Sequence, residues 1–307
     1  MNPSPIVDPA CRETVSLPFT SSWRTRLTDY VELSKLRISV MVLATVVMGF
    51  VVGGGSTENG ILLLNSLMGI GLIAAASSMF NQVIEKRTDL LMPRTQNRPI
   101  PAGRVLPFEA IACGTACGVI GFFQLWLFVN PLTAILTLST LVMYVCLYTP
   151  LKRYSSFCTT IGAIPGAMPP VLGFAAASNT LSMEALWLFA IMFLWQFPHF
   201  LAIAWLYREQ YAAAGLHMLP GQLPRPHLTG LIAICYAVAL LIVSLGPVLM
   251  ESAGLTYAAI AGLSGLVYLG YTIRFAREES RFTARQLLFC SLFYLPIVLI
   301  AATVALR

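Results

Sequence analysis

Asn81, Glu85 and Asp89 fall at positions i, i+4 and i+8. On a helix running out of the preceding apolar segment, that spacing stacks three oxygen-bearing side chains along one face. Arg94, Arg98 and Arg104 follow, and Pro93, Pro99 and Pro101 break regular structure. Carboxylates suit Mg2+, and Mg2+ with arginines suits a diphosphate. Taken alone, residues 81–104 also read as an ordinary basic loop after a solvated helix end, since such loops are common in membrane proteins.

A second polar cluster lies further along the chain. Trp195, Gln196 and His199 sit inside an apolar segment, and Tyr207, Arg208, Glu209, Gln210 and Tyr211 follow at its end. Polar groups at that depth are costly and usually face a bundle interior. Gln196 and His199, three residues apart, share a helix face. A lone buried histidine is more often a hydrogen-bonded structural group than a ligand. Trp, Gln, Pro and His within five residues shift the reading toward a site. Both clusters have the same layout, an apolar span and then a polar face, so the two are expected to meet across one cavity. Lys152 and Arg153 after Tyr148, and Lys35 and Arg37 before the first span, emerge on the same side.

The elements that must position these residues are apolar helices. Of 307 residues, 57% are hydrophobic and only 10% are charged, against about 25% charged in a soluble domain. The chain is therefore expected to be an all-α polytopic membrane protein. Nine apolar segments are long enough to span, near 38–54, 61–83, 108–129, 131–149, 156–177, 182–206, 228–249, 254–273 and 286–306. Residues 1–30 read as a cytoplasmic N-terminal tail and 31–307 as a single transmembrane domain. Eighteen of the nineteen Lys and Arg fall on one side of this arrangement, and only Arg307 on the other. The positive-inside rule then puts the N-terminus in the cytoplasm, and nine spans put the C-terminus outside. The net charge of +6 is accounted for by orientation, and no nucleic-acid partner is expected. The cysteines lie mostly in apolar segments, as small hydrophobes. The 156–177 segment carries Gly162, Gly166 and Gly173 with Pro165, Pro169 and Pro170, a kinked, closely packed helix that suits a cavity wall or a packing interface equally.

Acids for a divalent cation, several cations and a deep apolar chamber fit a polyisoprenyl diphosphate. Its head needs metal and positive charge, and its tail needs an apolar environment. Aromatic faces would stabilise an allylic cation. A transporter or channel also carries intramembrane polar residues and kinked helices. Here, however, the charges gather at one membrane face, and no half-helix pattern repeats in both halves.

These motifs resemble the UbiA superfamily of intramembrane prenyltransferases, whose first signature has the form N-x-x-x-[D/E]-x-x-x-D. The resembling stretches are LSKLRI (34–39), residues 81–104, YTPLKR (148–153), the glycine- and proline-rich run 162–173, WQFPHF (195–200) and YREQYAAAGLHMLP (207–220). Within the superfamily the chain is similar to the branch that farnesylates haem, with WQFPHF and the R-T-x-N-R-P segment the most specific parts. The resemblance implies nine helices around a central cavity. It implies Mg2+ as cofactor, farnesyl diphosphate and haem b as substrates, and haem O and diphosphate as products. The membrane would be the cell inner membrane, and haem A synthase or terminal oxidase assembly factors would be partners. Asn81, Glu85 and Asp89 would be catalytic and hold the metal, with Tyr148 beside them. Lys35, Arg37, Arg94, Arg98, Lys152 and Arg153 would bind diphosphate, and His199, Trp195 and Gln196 would face the haem. The alternative within the superfamily is a quinone or chlorophyll precursor as acceptor. The chain departs from the pattern at Gln210, where the second motif usually has an acid. Glu209 is then the nearest acid to replace it as a metal ligand.

Overall fold

The structure, a computed structural model, describes residues 23–217, 227–249 and 251–306. The tail expected at 1–22, Arg225 and the terminal Arg307 lie outside the described residues. Among the described residues there is no β-strand. The helices are α1 (Trp23–Leu33), α2 (Leu36–Val52), α3 (Gly60–Leu90), α4 (Pro107–Phe128), α5 (Pro131–Val142), α6 (Thr149–Leu151), α7 (Cys158–Ser178), α8 (Met183–Leu206), α9 (Arg208–Ala213), α10 (Leu228–Ser244), α11 (Gly246–Leu249), α12 (Leu255–Glu278) and α13 (Arg281–Ala305). A 3-10 turn at Thr57–Asn59 precedes α3, and a π-helical stretch, Met143–Tyr148, joins α5 to α6. Among the described residues eight helices are long and apolar enough to cross a membrane, and nine spans result if α1 and α2, bent by 49°, count together as one broken span. Helices are the expected solution in hydrocarbon, because only they satisfy every backbone polar group within one segment.

Their starts are written locally. Asn130 caps α5 by accepting from the Thr133 backbone N–H at 2.8 Å, with Pro131 in the first turn. Ser280 does the same for Thr283 at the start of α13. Residues 23–30, expected as tail, instead begin the first helix. Its ion pairs reach across the chain, Arg26 to Glu109 at 3.1 Å and Asp29 to Arg104 at 2.8 Å.

α3 runs 31 residues, about 46 Å at 1.5 Å per residue. That exceeds the hydrocarbon thickness of about 30 Å, so the helix is long enough for its last turns to carry the polar face out of an apolar layer. α3 packs on α4, and α2 on α7. α7 packs on α8, which also meets α10 and α13, and α12 lies against both of those. The α2–α7 contact is nearly backbone to backbone. A Cβ on Gly49 would collide with the Pro170 carbonyl, and one on Gly173 with the Val46 carbonyl. Two apolar clusters form most of the core, one around Val46, Ile73 and Leu125, the other around Leu188, Tyr268 and Leu299. A third, Leu33, Met79, Ile100, Val105 and Ala110, packs beneath the loop between α3 and α4.

Candidate functional site

The three α3 residues do share a face, and they open onto a cavity of about 100 Å³. Asn81 and Asp89 are almost completely buried, at 1% and 0% exposure. Each of the three is engaged by a cation from another element. Lys35 Nζ donates to Asn81 Oδ1 at 3.2 Å. Lys152 Nζ donates to Glu85 Oε1 at 2.7 Å. Arg98 Nη1 donates to both carboxylate oxygens of Asp89, at 2.9 and 2.8 Å. Asn81 Nδ2 donates in turn to Thr149 Oγ1 at 3.1 Å.

The proline-broken loop brings the arginines back. Thr95 Oγ1 donates to the Asp89 carbonyl at 2.9 Å, closing the loop over the helix end. Arg94 lies over the Tyr207 and Tyr211 rings, 4.6 and 5.6 Å from their centroids, and donates to the Tyr211 hydroxyl at 3.1 Å. The first cluster thereby meets the end of the second. Lys35, Arg94, Arg98 and Lys152 all line the cavity, against two carboxylates, Glu85 and Asp89. The surplus positive charge suits an anion that brings its own cation.

Tyr144 and Tyr148 form the remaining wall. In the π-helical stretch the Thr149 backbone N–H reaches back five residues to the Tyr144 carbonyl. The two rings lie 5.2 Å apart, and the Lys152 ammonium sits 4.3 Å from the Tyr148 ring centre. Burial pulls the Lys152 ammonium down, but Tyr148 and Glu85 outweigh it and hold it well above the usual lysine range. Lys35 has left-handed backbone torsions, φ 52° and ψ 46°, which cost a residue other than glycine about 1 kcal/mol or more.

Other expected site residues are placed elsewhere. Arg37 is exposed and does not line the cavity. Arg153 donates to the Ile84 carbonyl at 2.9 Å, and its own carbonyl bonds the His217 ring at 2.6 Å. Glu209 does not join Asn81, Glu85 and Asp89. It is 71% exposed and pairs with Arg208 at 3.3 Å and Arg281 at 3.8 Å. Helical residues two apart diverge by about 200°, so α9 turns Tyr211 toward the cavity and leaves Glu209 outside. Gln210 carries a buried side-chain oxygen without a hydrogen-bond partner. His199 Nδ1 bonds Ser291 Oγ at 2.7 Å and its ring stacks on Trp195, whose Nε1 donates to the Ser291 carbonyl at 2.8 Å. Gln196 donates to the Ala163 and Met192 carbonyls at 3.2 and 2.9 Å. These three residues join α8 to α13 and α7 and do not line the cavity.

Met92, Thr95, Tyr144, Tyr211 and Leu216 line the cavity without having been singled out as site residues. Tyr144 carried a signal, its i, i+4 spacing to Tyr148. Among the described residues no three His, Cys, Asp or Glu side chains gather as a metal cage. Asn81, Glu85 and Asp89 still suit Mg2+. That ion prefers oxygen, keeps several waters, and is usually held by one or two carboxylates together with substrate phosphates.

Comparison with known proteins gives a consistent picture. Residues 42–295 match the model of the UbiA prenyltransferase family. A protoheme IX farnesyltransferase of Solibacter usitatus is 44% identical over 279 residues, covering 88% of this chain and 96% of that protein. The mitochondrial protoheme IX farnesyltransferase of Homo sapiens is 38% identical over 269 residues, covering 87% of this chain and 60% of that one. Among solved structures, a digeranylgeranylglyceryl phosphate synthase superposes with a TM-score of 0.77 at 17% identity, covering 92% of this chain and 99% of that chain. A UbiA homologue of Archaeoglobus fulgidus bound to GPP and Mg2+ superposes with a TM-score of 0.60 at 14% identity, covering 89% and 99%.

Proposed function

Because the chain belongs to the UbiA prenyltransferase family, we propose that it transfers the farnesyl group of farnesyl diphosphate to the vinyl group of haem b, giving haem O and diphosphate. The observation that carries this reading is the meeting of Asn81, Glu85 and Asp89 with Lys35, Arg94, Arg98 and Lys152 around one cavity. In the reaction the C1–O bond of farnesyl diphosphate breaks and the leaving diphosphate keeps the electron pair. The outer vinyl carbon supplies the electrons of the new C–C bond, and water adds its oxygen to the inner vinyl carbon left cationic and releases a proton, giving the hydroxyalkyl side chain of haem O. Asn81, Glu85 and Asp89 would hold Mg2+, which would supply Lewis-acid neutralisation of the leaving group. Arg98 and Lys152 then exchange their carboxylate partners for diphosphate oxygens, where charge develops as the bond breaks. Lys35 and Arg94 bind the same anion from either side. Tyr144 and Tyr148 present ring faces and hydroxyls close to the head-group, where the faces favour an allylic cation.

His199 is the proposed haem-side contact, through the ring nitrogen that Ser291 does not engage, with Trp195 and Gln196 holding the ring's surroundings. The cation-rich end of the bundle faces the cytoplasm of a bacterial inner membrane, and the C-terminus lies outside, in keeping with eighteen of nineteen Lys and Arg on one side. Haem A synthase or oxidase assembly factors would take the product.

The test is product analysis. Membranes carrying the protein are incubated with haem b, farnesyl diphosphate and Mg2+, and the porphyrins are resolved by mass spectrometry. The expected result is haem O. Farnesylation of an added quinone precursor with haem b left intact would refute the acceptor assignment.

A further inference from the structure

α1 lies outside the cavity, yet it is tied to it. Trp23, Leu27 and Val31, at i, i+4 and i+8, are 71%, 57% and 42% exposed, while Asp29 and Leu33 are buried on the other side. Asp29 accepts from Arg104 Nε at 2.8 Å, and Glu32 accepts from Arg104 Nη2 at 2.6 Å. Arg104 has therefore turned away from the diphosphate group of arginines and grips α1 instead. The last carbonyl of the helix, that of Leu33, accepts from Gln82 Nε2 at 3.0 Å. Gln82 directly follows Asn81. Two residues beyond Leu33, Lys35 takes its left-handed turn and places its ammonium on Asn81.

We propose that Asp29 and Arg104 are positioning residues for Lys35. Their pair fixes the end of α1 against α3, and that attachment sets the strained turn from which Lys35 reaches the cavity. Affinity for the diphosphate group thus depends on two side chains that touch no substrate. The inference rests on Lys35 as a diphosphate ligand. A left-handed non-glycine residue persists only where its surroundings hold it, and the Arg104 and Gln82 bonds to the residues just before the turn are such a hold.

The experiment is a double-mutant cycle on the full-length protein in lipid nanodiscs, read as farnesyl diphosphate binding by calorimetry with Mg2+ present. Asp29→Asn keeps shape and removes the buried one of the two charges that hold Arg104, leaving the exposed Glu32. It should weaken farnesyl diphosphate about tenfold, the scale of one charge-assisted contact, and leave haem b binding unchanged. In a Lys35→Ala background the same substitution should change affinity less than about twofold, because its effect runs through Lys35. Equal losses in both backgrounds would overturn the inference while leaving the proposed function standing, as would unaltered affinity in Asp29→Asn. Failure of the wild type to bind farnesyl diphosphate would remove the proposed function and this inference with it. Should Asp29→Asn not fold, Asp29→Glu, which shifts the carboxylate by one methylene, carries the same cycle.

Discussion

Gly162 is the residue through which α7 can disturb the site without touching it. A Cβ there would stand 3.0 Å from Tyr148 Cγ and closer still to Cδ2 and Cε2 of the same ring. Carbon atoms pack at about 3.5–4.0 Å, so the ring must withdraw by about 1 Å. Tyr148 lies over the Lys152 ammonium at 4.3 Å, and that ammonium holds Glu85 at 2.7 Å. Passing the displacement on to Lys152 takes the pair beyond about 3.6 Å, where no hydrogen bond survives. We expect Gly162→Ala to lose about 100-fold in kcat/KM, the scale of a 1 Å misplacement, and about 1–3 kcal/mol of stability from overpacking. The assay is initial haem O formation with farnesyl diphosphate varied, beside thermal unfolding in detergent. Gly270→Ala is the control, since a Cβ there meets nothing within 4 Å. Turnover by Gly162→Ala within about twofold of wild type, with an unchanged melting temperature, would refute the coupling.

Four further outcomes are expected. Arg98→Met leaves a carboxylate of 0% exposure without its cation and should cost about 3 kcal/mol. Adding Asp89→Asn should recover most of that stability in a denaturation assay, but none of the activity. Lys35→Gly should keep its fold, because relief of about 1 kcal/mol of left-handed strain is offset by glycine's chain entropy of similar size; farnesyl diphosphate binding should fall. Glu209→Gln should titrate with Mg2+ like the wild type, and a raised half-saturating concentration would bring Glu209 back as a ligand. Lys152, held above the ordinary lysine range, gives a contribution that is present below its unfolded value and lost only as pH rises through the higher folded one. Diphosphate affinity measured from about pH 6 to about pH 9 should therefore show no loss from this group.

The apolar segments were readable because hydrocarbon thickness sets their length, and the α3 face because helical spacing sets its phase. The cation partners were readable as types but not as pairings. Arg98 and Arg104 sit six residues apart in one loop, yet one turns to Asp89 and the other to Asp29. Nothing in a proline-broken loop fixes such a phase. Helix α1 is hard to read from the sequence because its 11 residues are too few to span a membrane and its Trp23, Leu27 and Val31 stripe is interrupted by Arg24, Arg26, Asp29 and Glu32. Tyr144 has only its spacing to Tyr148 and Tyr211 only its place in the second polar cluster to set them apart from the many aromatics that face lipid, and the fold is what puts both on the cavity wall. The outward direction of Glu209 is not legible in the sequence because α9 begins afresh after Tyr207, so its phase does not continue from α8. His199 stood out by depth, and depth alone does not distinguish a ligand from a residue bonded across to Ser291.

The π-helical stretch at Met143–Tyr148 bears on how this chain can change over time and in the laboratory. A π turn holds one residue more than the α turn it replaces. Deleting one residue between Met143 and Leu147 would restore an unbroken α-helical ladder and leave a span still long enough for the bilayer. A deletion in the regular helix Pro131–Val142, where no π turn absorbs it, would instead rotate everything after it by about 100°, taking Tyr148, Thr149 and Lys152 off the cavity together. Insertion and folding would register almost nothing while the head-group site came apart. Chimaeras spliced through this helix should therefore be matched by residue count across 143–148, and hydrophobicity alone is a poor guide to where they can be joined.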